Sequence, residues 1–373
     1  MSSLKDQLMA YARSLGFDRM GVTSAASLEN AGAYLERWIS EGKAGTMRYL
    51  ERNPRRRARP SDHLPGAKSV IVLAMDYYSG NDISREGKIS RYAWGKDYHP
   101  IMQKRLDSLA RYVCAMVPGA ECRTSVDTGP LLERALAQRA GLGFIGKNTS
   151  LITRGLGSWV FLAVVLTTVD LPVDAPDTRS CGNCRRCIDA CPTEAITSPH
   201  VLDARRCIAY LTIELKESLE PALRARMQGW IFGCDICQEV CPQNRRKAAT
   251  QTHFSQTGGV ERVTLKDLLD IRDDEAFEKR FGSTSLKRAR RHGLLRNACV
   301  AAVHLRRSDL IPQLQNLTKD PHPVIRETAA WALKKAGPAD ESGAQGWRAK
   351  RVRSGAIGSP ERSPREGLDP SSG

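Results

Sequence analysis

The sequence predicts a chain in three folded parts, an α/β domain, a cysteine-rich domain and an all-α end, and three observations carry that reading. Ser69-Val-Ile-Val-Leu-Ala-Met is a continuous apolar run of strand length among helical patterns, as a strand buried on both faces requires. Cys181-Gly-Asn-Cys184-Arg-Arg-Cys187-Ile-Asp-Ala-Cys191-Pro192 is C-x2-C-x2-C-x3-C-P without a mismatch. A broken copy follows in Cys207 and Cys234-Asp-Ile-Cys237-Gln-Glu-Val-Cys241-Pro242. Finally, Leu294 to Leu305, Leu310 to Leu317 and Val324 to Leu333 carry helical periodicity with no strand pattern between them.

Residues 1–175 form the α/β part. Residues 1 to about 64 read as helices: an opening segment with Leu4, Leu8, Tyr11 and Leu15 on one face, then Ser27 to Glu41 and Met47 to Glu51. A basic loop punctuated by Pro54, Pro60 and Pro65 leads to the Ser69 strand. A helix from Ile101 to Met116, a short strand from Cys122 to Val126 and a helix capped by Thr128, with Pro130 in its first turn, come next. Gly141-Leu-Gly-Phe-Ile-Gly-Lys-Asn is a turn-rich loop, and Ser150 to Thr153 pairs with Trp159 to Thr167 as a hairpin.

Leu171 to Pro176 marks the boundary to the cysteine-rich domain, 176–245. Its insertion before Cys234 reads as helices, Ile208 to Leu215 and Pro221 to Met227. Residues 246–337 are helical. Asp320-Pro-His-Pro-Val-Ile-Arg-Glu-Thr-Ala-Ala-Trp-Ala-Leu has the Pro-broken turn and small inward residues of a HEAT-type repeat. Residues 338–373 are Gly, Ser, Pro and mixed charge, and a disordered tail is expected.

The cysteine spacing specifies chemistry. In bacterial ferredoxins three closely spaced thiolates hold one [4Fe–4S] cubane and the fourth reaches the other. On that rule Cys181, Cys184, Cys187 and Cys241 hold one cluster, and Cys191, Cys207, Cys234 and Cys237 hold the second. Structural zinc takes two ligands from each of two knuckles, which three cysteines at x2 spacing do not match. A disulfide framework does not suit a long chain with no secretion signal.

The net charge is +16 and the pI about 9.5. Ser283 to Ser308 holds Lys287, Arg288, Arg290, Arg291, Arg296, Arg306 and Arg307 without one Asp or Glu. Lys43 to Arg59 holds Arg48, Arg52, Arg55, Arg56, Arg57 and Arg59. Two such concentrations point to a polyanion, a nucleic acid above all. The longest apolar run, Trp159 to Leu166, is too short to span a membrane, and the polar N-terminus has no apolar export core. A cytoplasmic protein is expected.

Asp127 ends a strand and precedes a helix, where the sites of α/β folds collect; a helix cap is the equal alternative. The Gly141 loop has the look of G-x-G-x-x-G, but it follows a helix and leads into a strand, so a dinucleotide fingerprint is rejected. Its glycines imply close approach of a cofactor or substrate, or tight packing under the hairpin. Tyr77, Tyr78, Tyr98 and His99 read as half-buried packing residues, and His99 has no second metal ligand at suitable spacing.

Taken together, Val126-Asp-Thr-Gly-Pro-Leu-Leu-Glu-Arg-Ala, the Gly141 loop, Arg91-Tyr-Ala-Trp-Gly-Lys-Asp-Tyr-His and the split eight-cysteine pattern resemble the epoxyqueuosine reductase family, from the N-terminus to Gly337. The resemblance implies a cobalamin-dependent oxidoreductase with an α/β cobalamin-binding domain, a ferredoxin-like 2[4Fe–4S] domain and an all-α HEAT-like end. Its reaction would be the last step of queuosine biosynthesis, reduction of epoxyqueuosine at the tRNA wobble position. It implies Asp127 as proton donor, with a pKa raised by a dry site. Arg57, Tyr98, Asp127, Gly143, Phe144, Ile145, Gly146, Lys147, Asn148, Cys234 and Asp235 would meet cobalamin. Lys287, Arg288, Arg290, Arg291 and Arg296 would hold tRNA phosphates. The D-x-H-x-x-G signature is absent, Ser61-Asp-His63-Leu-Pro-Gly66 being the nearest approach, so cobalamin is expected base-off with no histidine ligand. An external low-potential donor would load the clusters of a monomer. A plain two-cluster carrier leaves Asp127 and the α/β residues unexplained, and a non-catalytic iron–sulfur RNA-binding protein predicts basic patches without a cofactor cavity.

Overall fold

The computed structural model describes residues 2–80, 87–245, 260 and 263–336; the expected tail lies outside them. Ser3 caps α1 (Leu4–Ser14) through a reciprocal box: its Oγ accepts the Asp6 N–H at 3.2 Å, and Asp6 Oδ2 accepts the Ser3 N–H at 3.1 Å. A strand then stands where helices are expected, β1 (Arg19–Ser24). After α2 (Glu29–Ser40) and α3 (Pro54–Arg57) comes β2 (Ser69–Asp76), buried at all eight residues. β3 (Lys88–Ile89), α4 (Tyr98–Met116), β4 (Cys122–Ser125), α5 (Glu133–Arg139), β5 (Gly143–Ile145), β6 (Leu151–Thr153) and β7 (Val160–Thr167) complete the N-terminal part.

The main sheet runs β1-β2-β7-β4 with every pair antiparallel. Alternate residues of β2 serve two cores. Ile71, Leu73 and Met75 pack with Leu8 of α1 and Met102, Leu106 and Leu109 of α4; Val70, Val72 and Ala74 pack with Leu136 and Ala137 of α5. Helices on both faces explain the unbroken apolar run, and antiparallel neighbours replace the parallel ones that a helix–strand alternation suggests. The free edge of β1 is covered by the segment read as a boundary. Asp174 accepts the Val22 N–H at 2.7 Å, and its own N–H donates to the Val22 carbonyl at 2.8 Å.

Two local expectations fail for tertiary reasons. β6 pairs with β5 rather than β7, which is drawn into the main sheet; Thr153 and Gly157 keep a single bridge. Thr128 does not cap α5, which starts after Leu132; its Oγ1 donates to the Val126 carbonyl at 3.1 Å instead.

Further along the chain lie α6 (Arg186–Asp189), β8 (Ile196–Ser198), β9 (Val201–Leu202), α7 (Ile208–Ile213), α8 (Pro221–Arg224), β10 (Trp230–Phe232) and α9 (Ile236–Glu239). Then come α10 (Leu265–Leu269), α11 (Asp274–Phe281), α12 (Arg290–His304), α13 (Ile311–Leu317) and α14 (Pro323–Ala336). β10 pairs in parallel with β3, and Ile89, Ile231 and Phe232 share one core with Leu294, Leu295 and Ala298 of α12. Among the described residues no helix is long and apolar enough to cross a membrane.

α12 corrects two expected phosphate contacts. Arg291 is buried, paired with Asp320 and donating to the Ile271 carbonyl at 3.1 Å. Arg296 is 0% exposed and donates to the carbonyls of Leu215 (2.9 Å), Leu211 and Glu217 and to Asn297 Oδ1. Guanidinium groups committed inside the fold do not reach a phosphate.

Candidate functional site: two thiol sets and a carboxylate–imidazole chain

α6 and α9 lie against each other and bring the two cysteine runs together. Cys187 lies in electrostatic contact with Cys181 and Cys241, and Cys241 with Cys181 and Cys184. Cys207 neighbours Cys191, while Cys234 and Cys237 neighbour Cys207. Backbone N–H groups point at the sulfurs: Lys147 to Cys181 at 3.4 Å, Ala195 to Cys191 at 3.3 Å, Ile236 to Cys234, and Ala209 and Tyr210 to Cys207. Hydrogen bonds to sulfur are a main means by which proteins set iron–sulfur potentials. Among the described residues no three His, Cys, Asp or Glu close around a point the size of one ion. All-thiol sets of four, gathered from two runs at ferredoxin spacing, suit a cubane.

The second feature is built by α4 and the end of β4. Asp97 caps α4, accepting the His99 N–H at 3.1 Å. The ring of His99 bridges two carboxylates, Nδ1 to Asp97 Oδ1 at 2.6 Å and Nε2 to Asp127 Oδ2 at 3.1 Å. Lys287 Nζ reaches the other Asp97 oxygen at 2.7 Å. Tyr98, stacked on Phe161 with centroids 3.9 Å apart, hydrogen-bonds Asp127 with its hydroxyl. In sequence His99 reads as a packing residue, and Asp97 stands only as part of the Arg91 motif. The local signal was the Asp-x-His spacing at a helix start, which places a carboxylate on the imidazole.

Charge follows from the contacts. Burial opposes a proton on His99, but hydrogen bonds to Asp127 and Asp97 outweigh it and lift its pKa to about 9. The same bond from His99 holds Asp127 below the usual carboxylate range, so the expected upward shift is reversed: the proton rests on the imidazole. Asp127 keeps 62% of its side chain exposed and has a φ of 48°, a left-handed conformation that Asp tolerates. Glu133, whose pKa burial and the neighbouring Asp127 charge push up to about 8, accepts the Asp127 N–H at 2.8 Å and holds that turn. Behind the turn, His63, Gln103, Arg123, Thr124 and Ser125 line a recess of about 140 Å³.

The residues expected along cobalamin fall into two groups. Gly143 and Phe144 are buried in β5, where a Cβ on Gly143 would meet the Ile152 carbonyl; Gly146 and Asn148 are buried as well. Lys147 donates Nζ to the Gly182 carbonyl at 2.6 Å, and Asn148 reaches the Cys237 carbonyl at 3.5 Å, so this loop straps the thiol sets. Asp235 is 0% exposed, bonded to Ser90 Oγ and to the Arg91 N–H at 2.8 Å; it ties the cysteine part to the segment after β3. Packing covers Gly143, Phe144, Gly146, Asn148 and Asp235, while Lys147 stays partly exposed. Tyr98 offers only its hydroxyl end, Ile145 and Cys234 are partly buried, and Asp127 stands open. Arg57 does fit a ligand rich in amide and phosphate oxygens: Nη2 is held by the Tyr49 carbonyl at 3.0 Å, while Nε is buried without a partner among the described residues.

All-thiol double sets serve electron transfer, and a charged imidazole between two carboxylates serves proton transfer; a chain with both is a redox enzyme of the iron–sulfur class. Residues 180–244 match the family described as 4Fe-4S double cluster binding domain, and residues 57–128 match Epoxyqueuosine reductase QueG, DUF1730. An epoxyqueuosine reductase of Xanthomonas campestris is 39% identical over 341 residues, 89% of this chain and 96% of that one. A crystal structure of epoxyqueuosine reductase with a tRNA-Tyr epoxyqueuosine-modified stem loop superposes with a TM-score of 0.84 at 35% identity, covering 90% of each chain. The Bacillus subtilis epoxyqueuosine reductase with its catalytic loop swung out of the active site also gives 0.84 at 35%, covering 90% of this chain and 91% of that one. The chain belongs to the epoxyqueuosine reductase family.

Proposed function

We propose that the His99–Asp127 pair is the proton source for the family's reaction in this chain, the reduction of epoxyqueuosine to queuosine in tRNA. The observation that carries the reading is the run Lys287–Asp97–His99–Asp127, which ends in an open carboxylate touching a protonated ring. Removing an epoxide oxygen as water consumes two electrons and two protons, so the site needs a reducing centre and a proton store. A two-cluster electron carrier has no use for the store.

Cys181, Cys184, Cys187 and Cys241 hold one [4Fe–4S] cluster, and Cys191, Cys207, Cys234 and Cys237 the other, loaded by an external low-potential donor. Cobalamin, when bound, supplies the strongly reducing centre that cleaves the carbon–oxygen bond. Arg57 and the Asp127 face would hold it. His63 is buried with Nε2 on the Arg56 carbonyl at 3.0 Å, so this imidazole is committed inside the fold.

Substrate and cofactor covering Asp127 would exclude its water. A charged pair loses more on desolvation than a neutral one, so the shared proton moves from His99 Nε2 to Asp127. The carboxyl then gives it to the oxygen released from the ring, and a second proton passing through the same pair completes the water. Val126 and residues 128–131 line the recess of about 140 Å³, and in the Bacillus subtilis relative the catalytic loop is swung out of the active site; we infer that the Asp127 turn moves likewise. On the helical end, with its HEAT-like turn and helix from Asp320 to Leu333, Arg290 is the exposed arginine of the four expected there that has no ion pair among the described residues; Lys287 and Arg288 are exposed but paired with Asp97 and Glu214.

The proton store sets a pH dependence. His99 is raised above its ordinary value, so its charged form is complete below about pH 7 and is lost as pH rises through about 9; turnover should fall over that window. Asp97→Asn removes one of the two carboxylates behind the shift, and the fall should move to lower pH. A kcat profile whose alkaline limb stays in place in Asp97→Asn would assign that limb to another group.

The cluster assignment is tested by Cys207→Ser. Roughly half of the iron and sulfide should be lost, with one [4Fe–4S] electron paramagnetic resonance signal retained. Full iron content with both signals would place the ligand elsewhere.

A further inference from the structure

We propose that Tyr49, backed by Arg288, is a stacking platform for an unpaired nucleobase next to the nucleotide that reacts at Asp127. The inference rests on the tRNA reading and names a contact that reading does not supply. Tyr49 lies in a short helical turn, Arg48–Leu50, with 42% of its surface exposed, one of few large apolar side chains left in solvent among the described residues. Its ring is not loose. The Arg288 guanidinium stands 5.5 Å from the ring centroid and is itself fixed by a two-pronged pair with Glu214, both contacts at 2.9 Å. The Tyr49 hydroxyl donates to Met47 Sδ at 3.4 Å, and its carbonyl holds Arg57.

The platform stands beside the chemistry. Arg57 in turn accepts the Leu132 N–H at 3.2 Å on its carbonyl, which joins the Tyr49 turn to the segment leading from Asp127. Lys287, the neighbour of Arg288, reaches Asp97 and through it His99 and Asp127. Tyr49 is within electrostatic reach of Asp127, Glu214 and Arg288. Arg48 and Arg52, next to it and three residues on in the chain, are exposed, as is Arg59. A rigid aromatic face beside cations is the equipment that splays and stacks bases of a single-stranded loop. The guanidinium lies over the ring, and the 42% of Tyr49 that stays in solvent is the surface offered to a base. Stacking there would fix the register of the loop and decide which nucleotide is presented to Asp127.

The test uses the full-length protein and an anticodon stem–loop RNA carrying 2-aminopurine next to the wobble position. Wild type and Tyr49→Phe should both change the probe's fluorescence on binding. Tyr49→Ala and Tyr49→Leu should lose that change and bind about 10- to 100-fold more weakly, since stacking on one aromatic ring has effects of that order. The slope of affinity against salt should stay as in wild type, because no phosphate contact is removed. Leucine behaving like phenylalanine, or alanine retaining full affinity and signal, overturns the platform while leaving RNA binding intact. Failure of wild type to bind the stem–loop sinks the RNA reading and the platform with it.

Discussion

Asp127→Asn should lower turnover by about 10²- to 10⁴-fold, the usual range for losing a positioned general acid, while leaving iron content and thermal stability near wild type. The replacement is nearly isosteric. Asn tolerates the φ of 48° as well as Asp does, and the Glu133 carboxyl still accepts the backbone N–H of this residue, so the turn should persist. The amide cannot take the proton from His99. It also withdraws a carboxylate that supports the charge on the ring, so His99 should drop toward its ordinary range and any residual activity should fade at lower pH. Glu133 offers no substitute, because it faces the backbone of Asp127 and not the open side. The measurement is single-turnover conversion of epoxyqueuosine-containing tRNA with cobalamin and a strong reductant, read by nucleoside mass analysis across pH. Wild-type conversion by the variant would remove Asp127 from the proton path.

What could be read from the chain divides by the range of the interaction. The cysteine runs are local, and a spacing of two or three residues is set by how a short loop wraps a cluster; neighbours such as Cys187 and Cys241 meet as that spacing implies. β2 was visible because both of its faces are apolar. β1 was not, since Arg-Met-Gly-Val-Thr-Ser becomes a strand through β2 on one edge and Asp174 on the other, partners 45 and more residues away in the chain. The glycines of the Gly141 loop announced close approach and left its cause open between a ligand and packing; at Gly143 the neighbour is the Ile152 carbonyl of the adjoining strand. His99 was misjudged for the same reason: one of its carboxylates is two residues away, but the other arrives from the end of β4, 28 residues on.

The basic run of α12 is the sharpest case, because charge counts do not say which face of a helix is inside. Arg296→Ala should destabilise the fold by at least about 3 kcal/mol, since the carbonyls of Leu211, Leu215 and Glu217 would be left buried without donors around a new cavity. Burial already lowers the Arg296 pKa to about 10, a cost the fold sustains only because those oxygens surround the charge. Arg290→Ala, at an exposed position, should leave the urea midpoint within error and weaken stem–loop binding with a shallower salt slope if it contacts phosphate. The pair of variants therefore separates two meanings of one cationic run. If Arg296→Ala melted like wild type and only lost RNA affinity, the buried network would have to open in solution. An unchanged salt slope in Arg290→Ala would move the phosphate path to the arginines around Tyr49. The expected outcome, stability lost at one position and affinity at the other, follows from α12 carrying Arg296 among Leu294, Leu295 and Ala298 while Arg290 opens the helix at its solvent end.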